Sequence, residues 1–531
     1  MSLDDAYIVV TDITVSFGAP ISPTTSSAPD TVSRQRWHRI EKDLYLHSAE
    51  QTAWLYAATL AVEELTADDL VVTLVRVSEE RPVNEPGPQW ERRPAGIWIR
   101  RSKYKEDHQS VTDIDVLFGT DAVDPRPHWT LMPQPLKLGT EIQLEIPVAR
   151  LSIRRRQRKP VPDDPRPPNP LRFREDGKFR IVQVSDTHMV TGVGVCKDAI
   201  DAESKFLPPS VADPLTVDFM GKVLDTERPD LVILTGDQVH HDVLDSQSAI
   251  FKVVAPLITR SIPFAAVFGN HDSEGTYALS RSSQMALLES LPFSLCKAGP
   301  PNVEGVGNYH LKVFSHTSQP PLITLFFLDS HGQIESEVKD PDYEPISKSQ
   351  IDWFKNTSRE LRKDRESSLD SNDSLSHLSL AFMHIPIPEY ADDSLDIVGG
   401  QQREPTEGPS FNSHFYDALV EEGAVAVGCG HDHVNDFCGL LPRREGGDLR
   451  QVHGKCSQLG PWLCYGGGSG FGGYCSYGEN RYHRRMRVWE FNTNTGGITT
   501  WKRVEYASER IDELVLVERG NVVAPFPNKD K

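Results

Sequence analysis

The chain has 531 residues, which exceeds the usual length of a single domain and predicts at least two. Its 38% hydrophobic and 25% charged residues are typical of a globular protein rather than a disordered or fibrous one. The formal net charge of -20 disfavours nucleic acid as a partner, because an acidic surface repels phosphate backbones.

Neither a membrane-spanning segment nor an export signal is predicted. No apolar run is long enough to cross a bilayer, and the N-terminal sequence MSLDDAYIVVTDITV lacks the basic region and apolar core of a signal peptide. The seven cysteines are odd in number and widely spread, so we expect reduced thiols rather than a disulfide framework. Together these features predict a cytoplasmic protein, with the nucleus as the alternative location.

Residues 1–155 are predicted to form a mainly β domain. Residues 10–18 read VTDITVSFG and residues 111–119 read VTDIDVLFG, an imperfect repeat in which alternating apolar residues run into a glycine turn. Further strand candidates read AWLYAATLAV, VVTLVRV, GIWIRR and IQLEIPV, of which the first also suits a helix. The repeat resembles strands of β-prism-like membrane-associated domains. The role of this domain is left open by its sequence, with recruitment of a protein partner or of a membrane surface as the two candidate interaction roles.

A basic and proline-rich linker is predicted at residues 156–172. The run RRRQRK at residues 154–159 is followed by PVPDDPRPPNP, in which the prolines are incompatible with a helix or a central strand. We interpret the basic run as a solvated linker, with a nuclear-import or docking signal as the alternative. Residues 173–531 then form the second domain.

In this second domain, apolar runs alternate with helical patterns, which predicts α/β layers. The buried strands read FRIVQV, PDLVILTGD, PFAAVFGNHD, LSLAFMH and AVAVGCGHDH. One helix is predicted where Val217, Met220 and Leu224 recur at helical spacing, and another after a capping box formed by Ser347 and Gln350. The polar, serine-rich residues 365–377 are predicted to form a loop.

Five short polar motifs each follow an apolar run. Because open α/β sheets place their sites at the carboxyl ends of strands, we expect these motifs to meet in one site. Each motif is weak alone, but their shared position and order make a single site the better interpretation. In chain order they are Asp186-Thr187-His188, Gly236-Asp237, Gly269-Asn270-His271-Asp272, His384, and Gly430-His431-Asp432-His433.

These residue types suit a two-metal centre for phosphate-ester hydrolysis. That reaction requires a nucleophilic hydroxide at neutral pH and a counter-charge for the phosphoryl oxygens, and two neighbouring metal ions supply both. Carboxylates and imidazoles are ligands for divalent or trivalent Mn, Fe or Zn. Asp237 is the natural bridging carboxylate, while Asn270 adds a ligand without adding charge.

The pattern D-x-H, GD, GNHD, H and GHxH over residues 178–491 resembles the calcineurin-like metallophosphoesterases. The resemblance implies a four-layer β-sandwich flanked by helices, with the metals at the strand ends. It also implies that His271 lies near the leaving group as a general acid, oriented by Asp272. The implied ligands are Asp186, His188 and His433 for the first metal, Asn270, His384 and His431 for the second, and Asp237 for both.

The segments QVSDTHMVTGVGVCKDA, PFAAVFGNHDSE, MHIPIPEY, GHDHVNDFCG and CYGGGSGFGGYC look like the fungal phosphoprotein phosphatases of cell-cycle exit. Small plant purple acid phosphatases are similar too, but they have DxG and GDxxY, whose Tyr binds ferric iron. Here His188 stands in place of that Gly and His240 in place of that Tyr. The purple chromophore is therefore predicted to be absent.

The leading hypothesis is a hydrolase of phosphomonoesters, with phosphoproteins as the substrates that the fungal resemblance implies. One alternative is a phosphodiesterase acting on nucleotide or lipid-derived diesters. The other is a binding scaffold without catalysis, although such proteins usually lose metal ligands and this chain retains every expected one. Transition metals and a phosphorylated partner are thus the expected ligands.

Overall fold

The described residues of the computed structural model group into two compact units. Unit 1 comprises Met1–Asp164, Thr191–Val193 and Gln247–Ala255, and unit 2 comprises Pro165–Val190, Gly194–Ser246 and Pro256–Lys531. Residues 156–169 of the predicted linker lie outside the described residues. The structure describes residues 8–18, 36–49, 51–82, 88–105, 109–139, 148–155, 170–317, 321–336, 341–368, 377–442 and 459–524.

In its described residues, unit 1 contains three antiparallel sheets of three strands each, so the predicted mainly β character of the N-terminal region is confirmed. The segment AWLYAATLAV forms a strand rather than a helix, whereas most of IQLEIPV lies outside the described residues. The strands are β1 (Ile8–Gly18), β2 (Arg36–Asp43), β3 (Thr52–Ala61), β4 (Leu70–Val77), β5 (Glu91–Arg92), β6 (Ile97–Lys103), β7 (Val111–Phe118), β8 (Trp129–Leu131) and β9 (Ala149–Arg155).

The three sheets repeat one topology, with strand orders β1-β3-β2, β4-β6-β5 and β7-β9-β8. The pairing register shifts around one threonine in the first strand of each sheet: Thr11, Thr73 and Thr112. Each hydroxyl donates to a carbonyl of the neighbouring strand, over 3.1, 3.3 and 3.5 Å respectively. The sequence repeat is therefore three-fold. Its middle copy is VTLVRV at residues 72–77, a predicted strand whose sequence is too divergent to be recognised as a repeat.

The described residues of unit 2 contain two seven-stranded sheets. The first consists of β10 (Lys178–Val184), β11 (Leu231–Thr235), β12 (Phe264–Val267), β22 (Arg485–Asn492), β23 (Gly497–Val504), β24 (Ile511–Glu518) and β25 (Asn521–Val522), in the order β12-β11-β10-β22-β23-β24-β25. The second consists of β13 (Tyr309–Phe314), β14 (Pro321–Phe327), β15 (Leu378–Phe382), β16 (Asp396–Val398), β17 (Ala426–Cys429), β18 (Cys438–Leu440) and β19 (Trp462–Tyr465), in the order β13-β14-β15-β17-β19-β18-β16. A hairpin of β20 (Ser476–Tyr477) and β21 (Asn480–Arg481) stands apart.

The two large sheets share an apolar core. Ile181 and Ile233 of the first sheet are fully buried in one cluster with Leu325, Phe382 and Trp462 of the second. β10, β11 and β12 run parallel, as do β14, β15, β17 and β19, so the carboxyl ends within each set point the same way. The predicted α/β sandwich is confirmed, and its parallel strands are the ones that precede the polar motifs.

Helices cover the second sheet on its other face, where Phe354 and Leu419 pack with Val427 of β17. The predicted capping box is confirmed, since the backbone N–H of Ser347 donates to Gln350 Oε1 at 2.8 Å. The described α-helices are α1 (Ala212–Glu227), α2 (Ser246–Thr259), α3 (Arg281–Glu289), α4 (Lys348–Ser368) and α5 (Phe415–Glu422).

The predicted loop at residues 365–377 is wrong at its start, because α4 continues to Ser368. Arg365 and Glu366 are good helix formers, and they extend a helix that has already been nucleated. Residues 369–376 lie outside the described ones. None of the helices that the structure describes has the length and apolar character needed to cross a membrane.

The expectation of reduced thiols is wrong for Cys438 and Cys464, which form a disulfide. The two residues stand directly opposite each other on the antiparallel strands β18 and β19. A separation of 26 residues in sequence gives no sign of this pairing, which arises from the sheet register. Four other cysteines, at positions 196, 296, 429 and 475, are buried free thiols, and Cys456 lies outside the described residues.

Candidate functional site

All seven predicted metal ligands follow the carboxyl ends of parallel strands in unit 2. Because the two sheets share a core, these strand ends meet at one edge of the sandwich. Six of the side chains lie within 4 Å of at least one other. Asn270 belongs to the same group because the adjacent His271 contacts Asp237. The ligands are Asp186 and His188 after β10, Asp237 after β11, Asn270 after β12, His384 after β15, and His431 and His433 after β17.

The backbone at this edge is unusual. Asp186, His188, Asp237 and His431 have positive φ angles of 56°, 46°, 51° and 78°. A non-glycine residue in this region costs on the order of 1–3 kcal/mol and persists only where the surrounding structure enforces it. The strand-to-loop turns therefore aim these four side chains inward at an energetic cost that regular secondary structure does not require.

The first half of the site contains Asp186, His188, Asp237 and His433, whose candidate ligand atoms all lie within 4.8 Å of one another. His188 Nε2 lies 3.0 Å from His433 Nε2 and 3.6 Å from Asp237 Oδ2. His433 Nε2 lies 3.5 Å from Asp186 Oδ1. Two imidazoles and two carboxylates at such spacing match the donor set of a transition-metal site.

The second half shares Asp237 with the first. His384 Nε2 lies 3.4 Å from Asp237 Oδ2 and 3.4 Å from His431 Nδ1. The same Asp237 Oδ2 is therefore close to His188 on one side and His384 on the other. This position between the two halves is the one that a bridging carboxylate needs.

Two of the imidazoles are oriented by backbone carbonyls. His384 Nδ1 lies 2.8 Å from the carbonyl of Thr235, and His433 Nδ1 lies 2.8 Å from the carbonyl of Tyr474. A carbonyl can only accept, so each Nδ1 carries the proton and each Nε2 presents its lone pair to the site. Fixing the second ring nitrogen in this way is how proteins prepare histidine for metal binding.

Several buried nitrogen and oxygen atoms at the site have no hydrogen-bond partner among the described residues. They include Asp186 Oδ2, Asn270 Oδ1 and His431 Nε2. The amide nitrogen of Asn270 donates to Glu274 Oε1 at 3.3 Å, which leaves its oxygen for a ligand. Leaving buried polar atoms unpaired costs about 1–3 kcal/mol each, so a bound cation is the ligand that these residues fit.

The side chains alone give the site an unusual electrostatic field. Burial, reinforced by the nearby Asp237 carboxylate, raises the pKa of Asp186 to about 7. Burial lowers the pKa of His433 to about 3, so this imidazole is neutral and can coordinate. Burial opposes ionisation of Asp237 as well, but the surrounding histidines hold its pKa well below the usual range.

The predicted partnership of Asp272 with His271 is wrong. The Asp272 carboxylate instead accepts backbone N–H groups from Gly269, Asp237 and Val239 at 2.7–3.0 Å, so it fixes the loops that carry the ligands. Glu274 orients His271, with 2.5 Å between His271 Nδ1 and Glu274 Oε2. The physical reason is the short 3-10 turn at His271–Ser273, which places residue 274 beside the ring and turns Asp272 into the interior.

His271 has a position suited to proton transfer. Its side chain is 32% exposed, and its Nε2 lies 3.9 Å from Asp237 Oδ2 at the mouth of the site. Burial lowers the pKa of His271, but the Asp237 and Glu274 carboxylates more than offset this and raise it to about 9. A protonated imidazole that is partly exposed and next to the Asp237 carboxylate can serve as an acid toward a bound molecule.

Sequence reasoning missed several supporting residues. The Tyr474 ring stacks on His433 with 4.0 Å between centroids, and Tyr343 meets His431 edge to face at 4.9 Å. Glu274 was detectable, because a carboxylate three residues after His271 lies on the same side of one turn. The two tyrosines were not detectable, since they come from loops remote in sequence from the motifs.

The glycine-rich segment at residues 466–473, which follows β19, lies directly on the candidate ligands. A Cβ at Gly473 would stand 2.5 Å from His433 Cε1 and 2.7 Å from His188 Cδ2. Only a residue without a side chain fits there, because real Cβ contacts are not that short. The loop therefore packs directly against two of the site imidazoles.

Comparison with known proteins agrees with this geometry. The family described as calcineurin-like phosphoesterase matches residues 179–435, a range that contains all seven candidate ligands. Phosphatase DCR2 of Saccharomyces cerevisiae is 35% identical over 426 residues, covering 77% of this chain and 67% of the yeast protein.

Two Arabidopsis thaliana proteins are similar to a comparable degree. "Probable inactive purple acid phosphatase 29" is 34% identical, covering 63% of this chain and 84% of the plant protein. "Probable inactive purple acid phosphatase 28" is 35% identical, covering 66% of this chain and 87% of the plant protein. The relatives thus include one named as a phosphatase and two named as inactive.

Proposed function

Because this chain belongs to the calcineurin-like phosphoesterase family, we propose that it is a dinuclear metal-dependent hydrolase of phosphomonoesters whose substrates are phosphoproteins. The observation that carries the proposal is the convergence of seven candidate ligand side chains at one sheet edge. Buried polar atoms of four of them, Asp186, His188, Asn270 and His431, have no partner among the described residues. A chain that had lost this chemistry would be free to fill those positions with apolar or self-paired groups. The name of the yeast relative supports the phosphatase assignment.

In this proposal, seven residues bind the metal ions and His271 transfers a proton. Asp186, His188 and His433 would hold one ion, Asn270, His384 and His431 the other, and Asp237 would bridge them. When bound, two such ions supply the Lewis acidity that activates water and offsets the charge of the phosphoryl oxygens. His271, oriented by Glu274, would donate a proton to the departing alkoxide oxygen.

A binding scaffold is the second candidate, and the plant relatives named as inactive favour it. A scaffold has no need for an oriented, exposed acid such as His271. It also has no need for imidazoles with fixed tautomers. The contacts of His271, His384 and His433 therefore support catalysis over a purely structural use of the fold.

The deciding experiment combines metal analysis with three substrates. The purified full-length chain, loaded with Mn, Fe or Zn, is assayed on p-nitrophenyl phosphate, bis(p-nitrophenyl) phosphate and a phosphoserine peptide. We expect about two ions per chain and hydrolysis of both monoesters in preference to the diester. Preference for the diester would indicate a phosphodiesterase, and full metal occupancy without turnover on any substrate would indicate a scaffold.

A further inference from the structure

A chain of hydrogen bonds at the edge of the metal centre ends in a lysine to which the proposed mechanism gives no role. Asp242 Oδ1 lies 2.9 Å from His240 Nδ1, and His240 Nε2 lies 3.0 Å from Lys197 Nζ. The carboxylate can only accept, so His240 carries its proton on Nδ1 and accepts from the ammonium through Nε2. His240 therefore acts as a neutral connector that holds Lys197 in place.

This chain lies next to the site histidines. The His240 ring is 5.5 Å from the His188 ring and 6.4 Å from the His271 ring, measured between centroids. Both ring nitrogens of His240 are hydrogen-bonded to side chains, Nδ1 to Asp242 and Nε2 to Lys197. His240 thereby connects the cation Lys197 to the border of the site.

The backbone of Lys197 is fixed to the same place independently. Its N–H donates to the carbonyl of Phe471 at 2.9 Å, and its carbonyl accepts from the buried Arg484 side chain. Arg484 also donates to the carbonyl of Gly473, the residue that packs on His433 and His188. Side chain and backbone are thus both anchored to groups that touch the metal ligands.

The charge of Lys197 is not neutralised by any carboxylate among the described residues. Within the part of the chain that the structure describes, no carboxylate forms an ion pair with Lys197, although its side chain is exposed. A fixed ammonium beside a centre built to hold two cations is electrostatically unfavourable on its own. The ammonium becomes favourable when a bound anion keeps negative charge that the metals do not neutralise.

We propose that Lys197 is a substrate-binding residue that contacts the phosphoryl group and selects dianionic phosphomonoesters over monoanionic diesters, with His240 and Asp242 as its positioning residues. This inference rests on the proposed function for its substrate class. A charge-assisted contact is stronger for a dianion than for a monoanion, because the Coulomb attraction scales with the charge. The effect is expected in substrate affinity rather than in turnover.

The test uses Lys197→Gln, Lys197→Arg and, as a matched control, Lys205→Gln, which changes an exposed lysine of the same segment. Binding of inorganic phosphate to the metal-loaded full-length protein is measured by titration calorimetry, together with KM and kcat on p-nitrophenyl phosphate and its bis ester. For Lys197→Gln we expect roughly tenfold weaker phosphate binding and a tenfold higher monoester KM, as for loss of one charged hydrogen bond. Metal content and kcat should stay within about twofold, whereas the diester KM should rise by only about threefold, because half the charge halves the free-energy effect. Lys197→Arg and Lys205→Gln should resemble wild type.

The positioning role is tested at His240. His240→Phe removes the acceptor and should raise the monoester KM several-fold, whereas His240→Gln offers an amide oxygen to Lys197 and should restore it. A merely structural role would lower the melting temperature in both variants without a difference in KM between them. That outcome would overturn the positioning role.

Phosphate binding separates this inference from the proposed function. If wild type binds phosphate and Lys197→Gln does not, the inference stands even if no ester is hydrolysed. If Lys197→Gln binds phosphate as wild type does, or loses metal, the inference is overturned whatever the activity of the protein.

Discussion

The two units of the molecule use irregular backbone for different purposes. In unit 1, the bulges at Thr11, Thr73 and Thr112 recur in three sheets, and each threonine hydroxyl is paired within its own sheet. In unit 2, the left-handed turns at Asp186 and His431 place buried polar atoms where they have no hydrogen-bond partner among the described residues. An irregularity that satisfies its own polar groups is architectural, whereas one that leaves them buried and unpaired indicates a ligand.

The largest expected effect comes from removing the charge of Asp237, which lies at the centre of the candidate metal site. Asp237→Asn should lower metal content below one ion per chain and reduce hydrolysis by at least about 10²-fold, because Oδ2 of Asp237 faces both halves of the site. Elemental analysis and steady-state kinetics measure the two effects. The control is Asp225→Asn, which alters an exposed carboxylate paired with Arg260. Normal metal content in Asp237→Asn would remove the bridge from the proposed site.

The next effect separates binding from proton transfer. His271→Ala should keep its metals and lose about 10²–10⁴ in turnover, the range typical of a general acid. The loss should be greater for phosphoserine, whose alkoxide needs a proton, than for p-nitrophenyl phosphate. Glu274→Gln should give a smaller loss of the same kind, because it weakens the orientation of the ring. Equal losses on both substrates would assign His271 a structural role.

Asp436 in unit 2 is a buried carboxylate whose partners are all present, in contrast to the unpaired atoms of the candidate metal site. Burial opposes ionisation of Asp436, but Arg485, Lys502 and Arg403 hold its pKa well below the usual range. Asp436→Asn leaves these cations without their shared partner, and it should reduce the free energy of unfolding by about 3–5 kcal/mol. Chemical denaturation measures this loss, and metal content at pH 7 in the folded variant should remain normal.

The same carboxylate gives a pH dependence with a defined sign. Since the folded pKa is depressed, the contribution of Asp436 is complete above about pH 4, the ordinary value, and is lost as the pH falls further. Wild type should therefore lose stability more steeply than Asp436→Asn between about pH 4 and pH 2. Parallel slopes in denaturation curves across this range would contradict the assignment.

The comparison also explains what the sequence could reveal. The ligands were predictable because each follows an apolar strand within a few residues, so local pattern and chemistry coincide at Asp237 or His384. The orientation of His271 was mispredicted, since adjacency in sequence favoured Asp272 while the 3-10 turn brings Glu274 to the ring. Lys197 and Tyr474 act through loops distant in sequence from the motifs, and only tertiary structure brings such residues together.

In unit 1, the middle copy of the repeat was not predicted because its sequence has diverged. The repeat was recognisable in β1 and β7 because both retain V-T-D-I, but β4 keeps only the valine and threonine of that pattern. The disulfide between Cys438 and Cys464 likewise depends on the register of two strands. The predicted contact of the N-terminal region with a protein partner or a membrane surface stays a prediction.

The smallest expected effects lie in the three-fold repeat, and their order is set by burial and by the length of the hydroxyl contact. Thr11 is fully buried with a 3.1 Å hydrogen bond, whereas Thr73 and Thr112 are both half-buried, with hydroxyl contacts of 3.3 and 3.5 Å. Replacement by valine preserves shape and removes the donor, so the accepting carbonyl on the neighbouring strand is left less well paired. We expect losses in unfolding free energy that fall from about 1.5 kcal/mol at Thr11 to near zero at Thr112. Denaturation of the three single variants measures the series, and metal content and hydrolysis should be unchanged throughout. A variant of the series that lost metal would show that these bulges are more than architectural.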